Sequence, residues 1–215
     1  MSAAASDKRP DTSRDDRASG GGGPFASRGG QKLDAALTAF NIDATSFAVA
    51  DFGCNVGGFV DCWLKRGAAR VYAVDTAYGV LAWTLRRDPR VVVMERTNAL
   101  HAPAPQPVRF VSVDAGWTRQ ELILPAAARW LEPHSQAAII SLIKPHYEST
   151  MAKKQRGILT PDQSAEVCQA VLSRLTDSGF TCRGLIQSPI EGQKGNVEYL
   201  ACFAPPAAVR FSVRH

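Results

Sequence analysis

The stretch Asp51-Phe52-Gly53-Cys54-Asn55-Val56-Gly57-Gly58-Phe59 decides how the chain is read. An apolar run from Phe47 to Ala50 leads into it, and Val60, Cys62, Trp63 and Leu64 follow. An apolar run, a glycine-rich turn and a helix-period segment, in that order, spell strand, loop and helix. Glycine has no Cβ, so such a loop lets backbone approach a ligand closely. The helix beyond it offers unpaired N–H groups and a positive dipole end. Taken alone, the pattern fits a purely structural strand-to-helix turn equally well.

Outward from that loop, strands and helices alternate. Before it, Leu33, Ala36, Leu37 and Phe40 recur at helical spacing, with Lys32 near the start of that helix. A lysine there opposes the helix dipole, which hints at another task. After it, Gly67 stops the first crossover helix. Arg70 to Asp75 is a second strand, and a helix is expected through Val80, Leu81, Trp83 and Leu85. Val91–Met94, Val108–Asp114 and Ala137–Ile143 read as three more buried strands, with a helix over roughly 119–131. Trp63, Trp83 and Trp130 are expected in the core. Residues 146–159 are polar and basic and read as a surface loop. Thr160-Pro161-Asp162-Gln163 has capping-box spacing with proline at the first helical position. Strands Thr181–Ile186 and Val197–Phe203 have no helix between them and should pair antiparallel. The fold class expected is α/β: a mostly parallel, Rossmann-like seven-stranded sheet with a terminal antiparallel hairpin.

Composition bounds the rest. The chain has 215 residues, 45% hydrophobic and 21% charged, enough for one sizeable α/β domain. Residues 1–26 are rich in Ser, Ala, Asp and Arg and close on four glycines and a proline, so a disordered tail is expected. The domain is expected over 27–205, with a short tail over 206–215. No apolar run reaches membrane-spanning length and no signal-peptide core is present, so a cytoplasmic protein without a membrane partner is expected. Five scattered cysteines without a CxxC pair argue for reduced thiols and against a zinc cluster; no metal site is expected. The net charge of +5 falls outside the charge-balanced tail and fits a polyanion such as RNA.

In doubly wound sheets, ligands bind beyond the C-terminal ends of the strands. Asp51, Asp75, Asn98, Asp114 and Lys144 all fall there. Asp75 ends the second strand, about 20 residues past the glycine turn, where an acid holds the ribose hydroxyls of an adenine-nucleoside cofactor. Spacing does not separate NAD from S-adenosylmethionine. The four-residue step from Gly53 to Gly57 departs from GxGxxG and disfavours a dinucleotide. No Walker lysine follows, which disfavours ATP.

Five motifs together resemble a known family: Asp51–Phe59, Arg70–Asp75, Glu95-Arg-Thr-Asn98, Lys144-Pro-His-Tyr-Glu148 and Gly195-Asn-Val-Glu-Tyr199. They look like the FtsJ-like methyltransferases, and most like their TlyA group of ribosomal RNA 2′-O-methyltransferases, once labelled haemolysins. Ser27–Leu33 is similar to that group's entry into the domain. The resemblance covers about residues 27–204. In the TlyA group an S4 RNA-binding domain precedes this region, where a short polar tail stands here. Asp114-Ala-Gly-Trp also departs from the group's usual Ser-Phe pair after the acid. The resemblance implies a class I fold, S-adenosyl-L-methionine as cofactor, RNA (ribosomal above all) as substrate, and a catalytic tetrad of Lys32, Asp114, Lys144 and Glu198. It also implies that Asp51, Gly53, Gly57, Gly58, Phe59, Asp75, Asn98 and Asp114 line the cofactor site.

Methyl transfer to a ribose hydroxyl needs in-line positioning and a place for the hydroxyl proton. Lys144 is the candidate for both, oriented by Lys32, Asp114 and Glu198. Singly, Lys144 could snorkel from a strand end, and Glu198 could be a surface charge. Arg28, His146, Lys153, Lys154 and Arg156 are candidate RNA contacts. Three other readings share these residues: a catalytically idle RNA-binding protein, a methyltransferase of small molecules, and a pore-forming haemolysin. The absence of an amphipathic or membrane segment disfavours the last.

Overall fold

A computed structural model describes residues 23–116, 118–150 and 157–207. Its elements in chain order are α1 (Gly29–Ala39), β1 (Ala48–Phe52), α2 (Gly58–Lys65), β2 (Arg70–Val74), α3 (Trp83–Arg86), β3 (Val91–Met94) and β4 (Phe110–Val113). Then come α4 (Gln120–Ala128), β5 (Ala138–Ile143), α5 (Pro145–Glu148), α6 (Pro161–Asp177), β6 (Thr181–Gln187) and β7 (Tyr199–Ala204). One sheet of seven strands has the order β3-β2-β1-β4-β5-β7-β6. All pairs up to β4–β5 are parallel, and β7 inserts antiparallel between β5 and β6.

The reason for this architecture lies in the central strands. From Val49 to Phe52, Phe110 to Val113 and Ala138 to Ile143 every side chain is buried. Strands buried on both sides need helices on both faces. On one face α1 and α2 supply Leu33, Leu37, Phe59, Val60 and Trp63. On the other α4 and α6 supply Ile123, Leu124, Cys168, Val171 and Leu175. Each such large apolar side chain contributes roughly 1.5–3 kcal/mol on burial, so these two layers dominate stability. The edge strand β6 is half-exposed and contributes less.

The expected topology holds, with four local differences. The helix expected from Val80 shrinks to Trp83–Arg86, because residues 76–82 run as an irregular loop past Val56, whose carbonyl accepts from the Ala82 N–H at 3.0 Å. Trp83 is consequently 70% exposed and is not a core residue, whereas Trp63 and Trp130 are fully buried. Residues 145–148 are helical where a loop was expected, since Pro145 suits a first helical turn. A short 3₁₀ turn, Gln193–Gly195, interrupts the β6–β7 connection.

Residues 24–26, expected in the tail, are docked on α2. The Ala26 N–H donates to Asp61 Oδ2 at 2.8 Å, and Lys65 Nζ lies 5.1 Å from the Phe25 ring centre. Lys153, Lys154, Arg156 and Trp117 lie outside the described residues, as do residues 1–22 and 208–215. Among the described residues no helix is long and apolar enough to cross a membrane, and no His, Cys, Asp and Glu cluster could hold a metal ion. The five cysteines are free.

Candidate active site

A cleft of about 560 Å³ opens at the C-terminal ends of the parallel strands. Gly53, Asp75, Asn98, Asp114 and Lys144 line it, with Tyr147 at its edge. A smaller recess of about 110 Å³ adjoins it, lined by Asp51, Gly53, Gly58, Phe59 and Asp114 together with Ser27. Seven of the eight expected cofactor residues therefore face one of two adjoining spaces. The eighth, Gly57, faces inward.

The glycines also set how segments of the chain meet. At Gly53, φ is +87° and a Cβ would stand 2.6 Å from the Asp114 carbonyl oxygen. At Gly57, φ is +103° and a Cβ would meet Leu85 Cδ1 at 2.3 Å. At Gly58 a Cβ would lie 2.3 Å from Ser27 Oγ and 2.8 Å from the Gly30 nitrogen. These three positions bring the turn against β4, the 81–85 segment and the entry to α1. The loop is thus a junction of protein segments, and the cleft forms where they meet.

Asp75 Oδ2 accepts from the Asn55 N–H and Oδ1 from the Ala77 N–H, both at 2.8 Å. These bonds fix its carboxylate at the cleft wall and leave further lone pairs for a ligand's hydroxyls. Asn98 lines the cleft too, but its Oδ1 accepts from the Leu100 N–H at 3.0 Å, shaping its own turn.

Asp51 is wholly buried. Ser112 Oγ donates to its Oδ1 at 2.7 Å, and Trp63 Nε1 donates to Ser112 Oγ at 2.8 Å. Its Oδ2 has no hydrogen-bond partner. Burial pushes its pKa up to about 8, with Ser112 opposing and the nearby Asp114 and Asp75 adding to the rise. An unfolded chain ionises this group near its ordinary 3.8, while the folded chain keeps the proton. Stability contributed by Asp51 therefore falls as pH rises through that interval and levels off above about 8. Asp51→Asn is expected to gain on the wild type between pH 5 and 8.5, by an amount on the order of a few kcal/mol. Unfolding free energies in denaturant at the two pH values check this, and an unchanged gap would show that Asp51 ionises in the fold.

The four expected catalytic residues form two ion pairs. Lys32 Nζ, on α1, contacts Glu198 Oε2 at 2.5 Å, with both side chains at most one-tenth exposed. Lys144, the residue after β5, pairs with Asp114, the residue after β4. Burial raises the Asp114 pKa, Lys144 and Lys32 lower it, and Glu198 raises it. The two pairs are thus close enough to act on one another. The helix-opposing Lys32 is explained by its partner across 166 positions of sequence. Glu198 stands just before β7 and not on it.

Lys144 is held in place from behind. The Gln120 N–H at the start of α4 donates to Glu148 Oε1 at 2.9 Å, which satisfies an open helix end. Gln120 Nε2 donates to the Leu142 carbonyl at 3.3 Å, and Ser141 Oγ donates to Gln120 Oε1 at 2.6 Å. The short α5 and the end of β5 are therefore both tied to α4. The Gln120–Glu148 bond shows why an acid belongs at position 148. Sequence reasoning missed Gln120 and Ser112, which carry no pattern of their own.

Of the expected RNA contacts, Arg28 is exposed at the start of α1. His146 is buried against the Tyr147 ring, 4.2 Å between centroids, and its Nδ1 has no hydrogen-bond partner. Burial lowers its pKa, with Glu198 opposing. At 9% exposure His146 offers little surface to a large partner.

The strand order, the cleft at the strand ends and the acid directly after β2 define the class I fold of S-adenosylmethionine-dependent methyltransferases. The chain belongs to the FtsJ-like methyltransferase family, whose pattern it matches over residues 25–204. It is 40% identical over 184 residues to YqxC of Bacillus subtilis, covering 82% of this chain and 64% of that one. It is 39% identical over 183 residues to the 16S/23S rRNA (cytidine-2′-O)-methyltransferase TlyA of Mycobacterium tuberculosis, covering 81% and 66%. A solved structure from Streptococcus thermophilus that carries the hemolysin name superposes with a TM-score of 0.80 at 35% identity, covering 88% of this chain and 70% of that one. The chain spans just under two thirds of the length of the first two relatives.

Proposed function

We propose that this chain transfers a methyl group from S-adenosylmethionine to a ribose 2′-hydroxyl of RNA, ribosomal RNA in particular, in the cytoplasm. The observation that carries this reading is the Lys144–Asp114 pair lining the cleft, with the buried Lys32–Glu198 pair within electrostatic reach of Asp114. The names of the TlyA relative and of the family support it.

The residues present fit the cofactor. The cleft volume lies within the range of small-molecule sites. Asp75 offers a fixed carboxylate to ribose hydroxyls, and the partnerless Oδ2 of Asp51 points to a cationic or hydrogen-bonding group in the recess. Bound S-adenosylmethionine supplies an electrophilic methyl on a sulfonium. The remainder is the work of the protein. Lys144 orients the acceptor hydroxyl and, as the free amine left when its ion-pair proton passes to Asp114 or to water, takes the hydroxyl proton as the oxygen attacks. Asp114 holds the lysine amine at the cleft, and the Lys32–Glu198 pair fixes the far side. This arrangement needs no metal: positioning supplies most of the rate, because an activated methyl and an oriented oxygen need only be brought in line.

Asp75→Ala is expected to weaken S-adenosylmethionine binding roughly 100-fold through lost charged hydrogen bonds. Calorimetric titration checks this, with a melting curve to confirm that the fold persists. The function is tested by mapping ribose methylation across cellular RNA with and without the gene. One or more ribose methyls lost on deletion and restored by the wild-type chain is the expected result. An unchanged map overturns the reading.

A further inference from the structure

The wall behind Glu198 is set by a residue two positions away. Asn196 is 1% exposed, on the connection between β6 and β7. Its Nδ2 donates to the Gly157 carbonyl at 2.8 Å, and its Oδ1 accepts from the Leu159 N–H at 3.2 Å. A donor and an acceptor used together fix which way the amide faces. Its own carbonyl accepts from the Gly192 N–H at 2.9 Å. Asn196 thus ties the approach to the α6 N-cap, Thr160, to the turn that carries Gly192.

That turn touches Glu198 directly. A Cβ at Gly192 would stand 2.1 Å from Glu198 Oε1, so the carboxylate rests against bare backbone there. Glu198 is anchored at its base as well, its carbonyl accepting from the Ser188 N–H at 2.8 Å. The other side of the carboxylate meets Lys32. The position of Glu198 is therefore defined by Lys32 in front and by Gly192 behind, and Gly192 is held by Asn196. Ordinary loop packing does not require a fully buried amide bonded to two separate segments, since burying one costs free energy unless every polar atom is matched.

We infer that Asn196 is a positioning residue for methyl transfer, acting through Gly192 on Glu198 and so on the Lys32–Glu198 pair. The inference rests on the function proposed above and deepens it. It separates two roles that the Gly195–Tyr199 motif would otherwise merge: Glu198 meets Lys32, whereas Asn196 bonds to the 157–159 segment and locks the loop.

The test is a double-mutant cycle on the full chain with S-adenosylmethionine and an RNA substrate under single-turnover conditions. Asn196→Ala is expected to lower the transfer rate roughly tenfold, with the S-adenosylmethionine Kd within about twofold of wild type. In a Glu198→Gln background the same change is expected to have little further effect, because the positioned group is already gone. Equal losses in both backgrounds would make Asn196 a general stability residue and overturn the inference. Gly192→Ala leaves the Asn196 bonds formed but crowds Glu198, and is expected to reproduce the rate loss if Asn196→Ala folds poorly. Full activity in Gly192→Ala would also overturn it. Amide hydrogen exchange supplies a readout free of turnover. Asn196→Ala is expected to speed exchange at Leu159 and Gly192, and unchanged protection there would defeat the clamp itself. A wild type without methyl transfer on any RNA would instead defeat the proposed function, leaving the exchange result to decide the clamp.

Discussion

Lys144→Ala is expected to lower methyl transfer by about a thousandfold or more while leaving S-adenosylmethionine affinity within a few-fold of wild type. The reasoning is positional. Lys144 follows β5 directly and lines the cleft, but the expected cofactor contacts are made by Asp75, Asp51 and the turn around Gly53. Removing the amine strips the acceptor hydroxyl of its orienting partner and its proton acceptor together. It also leaves Asp114 without its ion-pair partner, and burial already raises the Asp114 pKa, so the carboxyl meets the loss by holding its proton. The fold is expected to survive for that reason. Lys144→Arg sharpens the result. Arginine keeps the charge and can keep the ion pair, but it does not deprotonate. An inactive arginine variant supports proton acceptance at Lys144, whereas a variant with near-wild-type turnover would reduce the lysine to an electrostatic guide. Radiolabelled methyl incorporation and calorimetric binding on the same preparations provide both readouts.

The second large effect is expected at Gly53→Ala. Two independent costs coincide there. The backbone has φ of +87°, which an L side chain adopts only with strain, and the new Cβ would lie 2.6 Å from the Asp114 carbonyl oxygen. Backbone cannot swing aside as a side-chain tip can, so the turn or the end of β4 must move. The expected loss is about 2–4 kcal/mol of stability together with loss of measurable S-adenosylmethionine binding. Two other glycines serve as controls. Gly79 has φ of +74° with nothing within 4 Å of a Cβ, so Gly79→Ala should cost only the backbone term of about 1 kcal/mol. Gly116 has neither a positive φ nor a near neighbour, so Gly116→Ala should be close to neutral. Thermal melts rank the three. Equal costs at Gly53 and Gly79 would show that the turn yields and that contact with Asp114 is unimportant.

Much of the fold was legible because the central strands are continuous apolar runs and the helices between them are punctuated. Gly67 and Thr160 ended and began helices where their chemistry requires: Gly67 has φ of +85°, and Thr160 forms the full capping box with Gln163. The antiparallel pairing of β6 with β7 followed from the missing crossover helix, whereas the insertion of β7 between β5 and β6 did not. Trp83 misled because helical spacing on a short segment says nothing about which side faces the sheet, and residues 76–82 follow the contour of the glycine turn instead. Residues 24–26 misled because their neighbours are tail-like, while Phe25 itself packs against the core.

The candidate site was legible at the strand ends, where polar residues interrupt apolar runs. The pairing within the four was not. Lys32 and Glu198 lie at opposite ends of the domain in sequence, and only the closing of α1 against β7 brings them to 2.5 Å. The purpose of the glycines was half-legible: close approach was expected from the missing Cβ, but the positive φ at Gly53 and Gly57 and the segments that approach, β4, Leu85 and Ser27, appear only in three dimensions. Support residues such as Gln120, Ser112 and Asn196 carry hydrogen bonds whose partners are distant in sequence, and no spacing announces them.

The central claim is that these two ion pairs serve methyl transfer to a ribose oxygen. It is tested most directly by incubating the purified chain with methyl-labelled S-adenosylmethionine and ribosomal RNA or ribosomal subunits, digesting the product to nucleosides and identifying the labelled species. The account predicts label in a 2′-O-methylnucleoside, present with the wild type and absent with Lys144→Ala. Label confined to a base, or equal label with the two proteins, would contradict it.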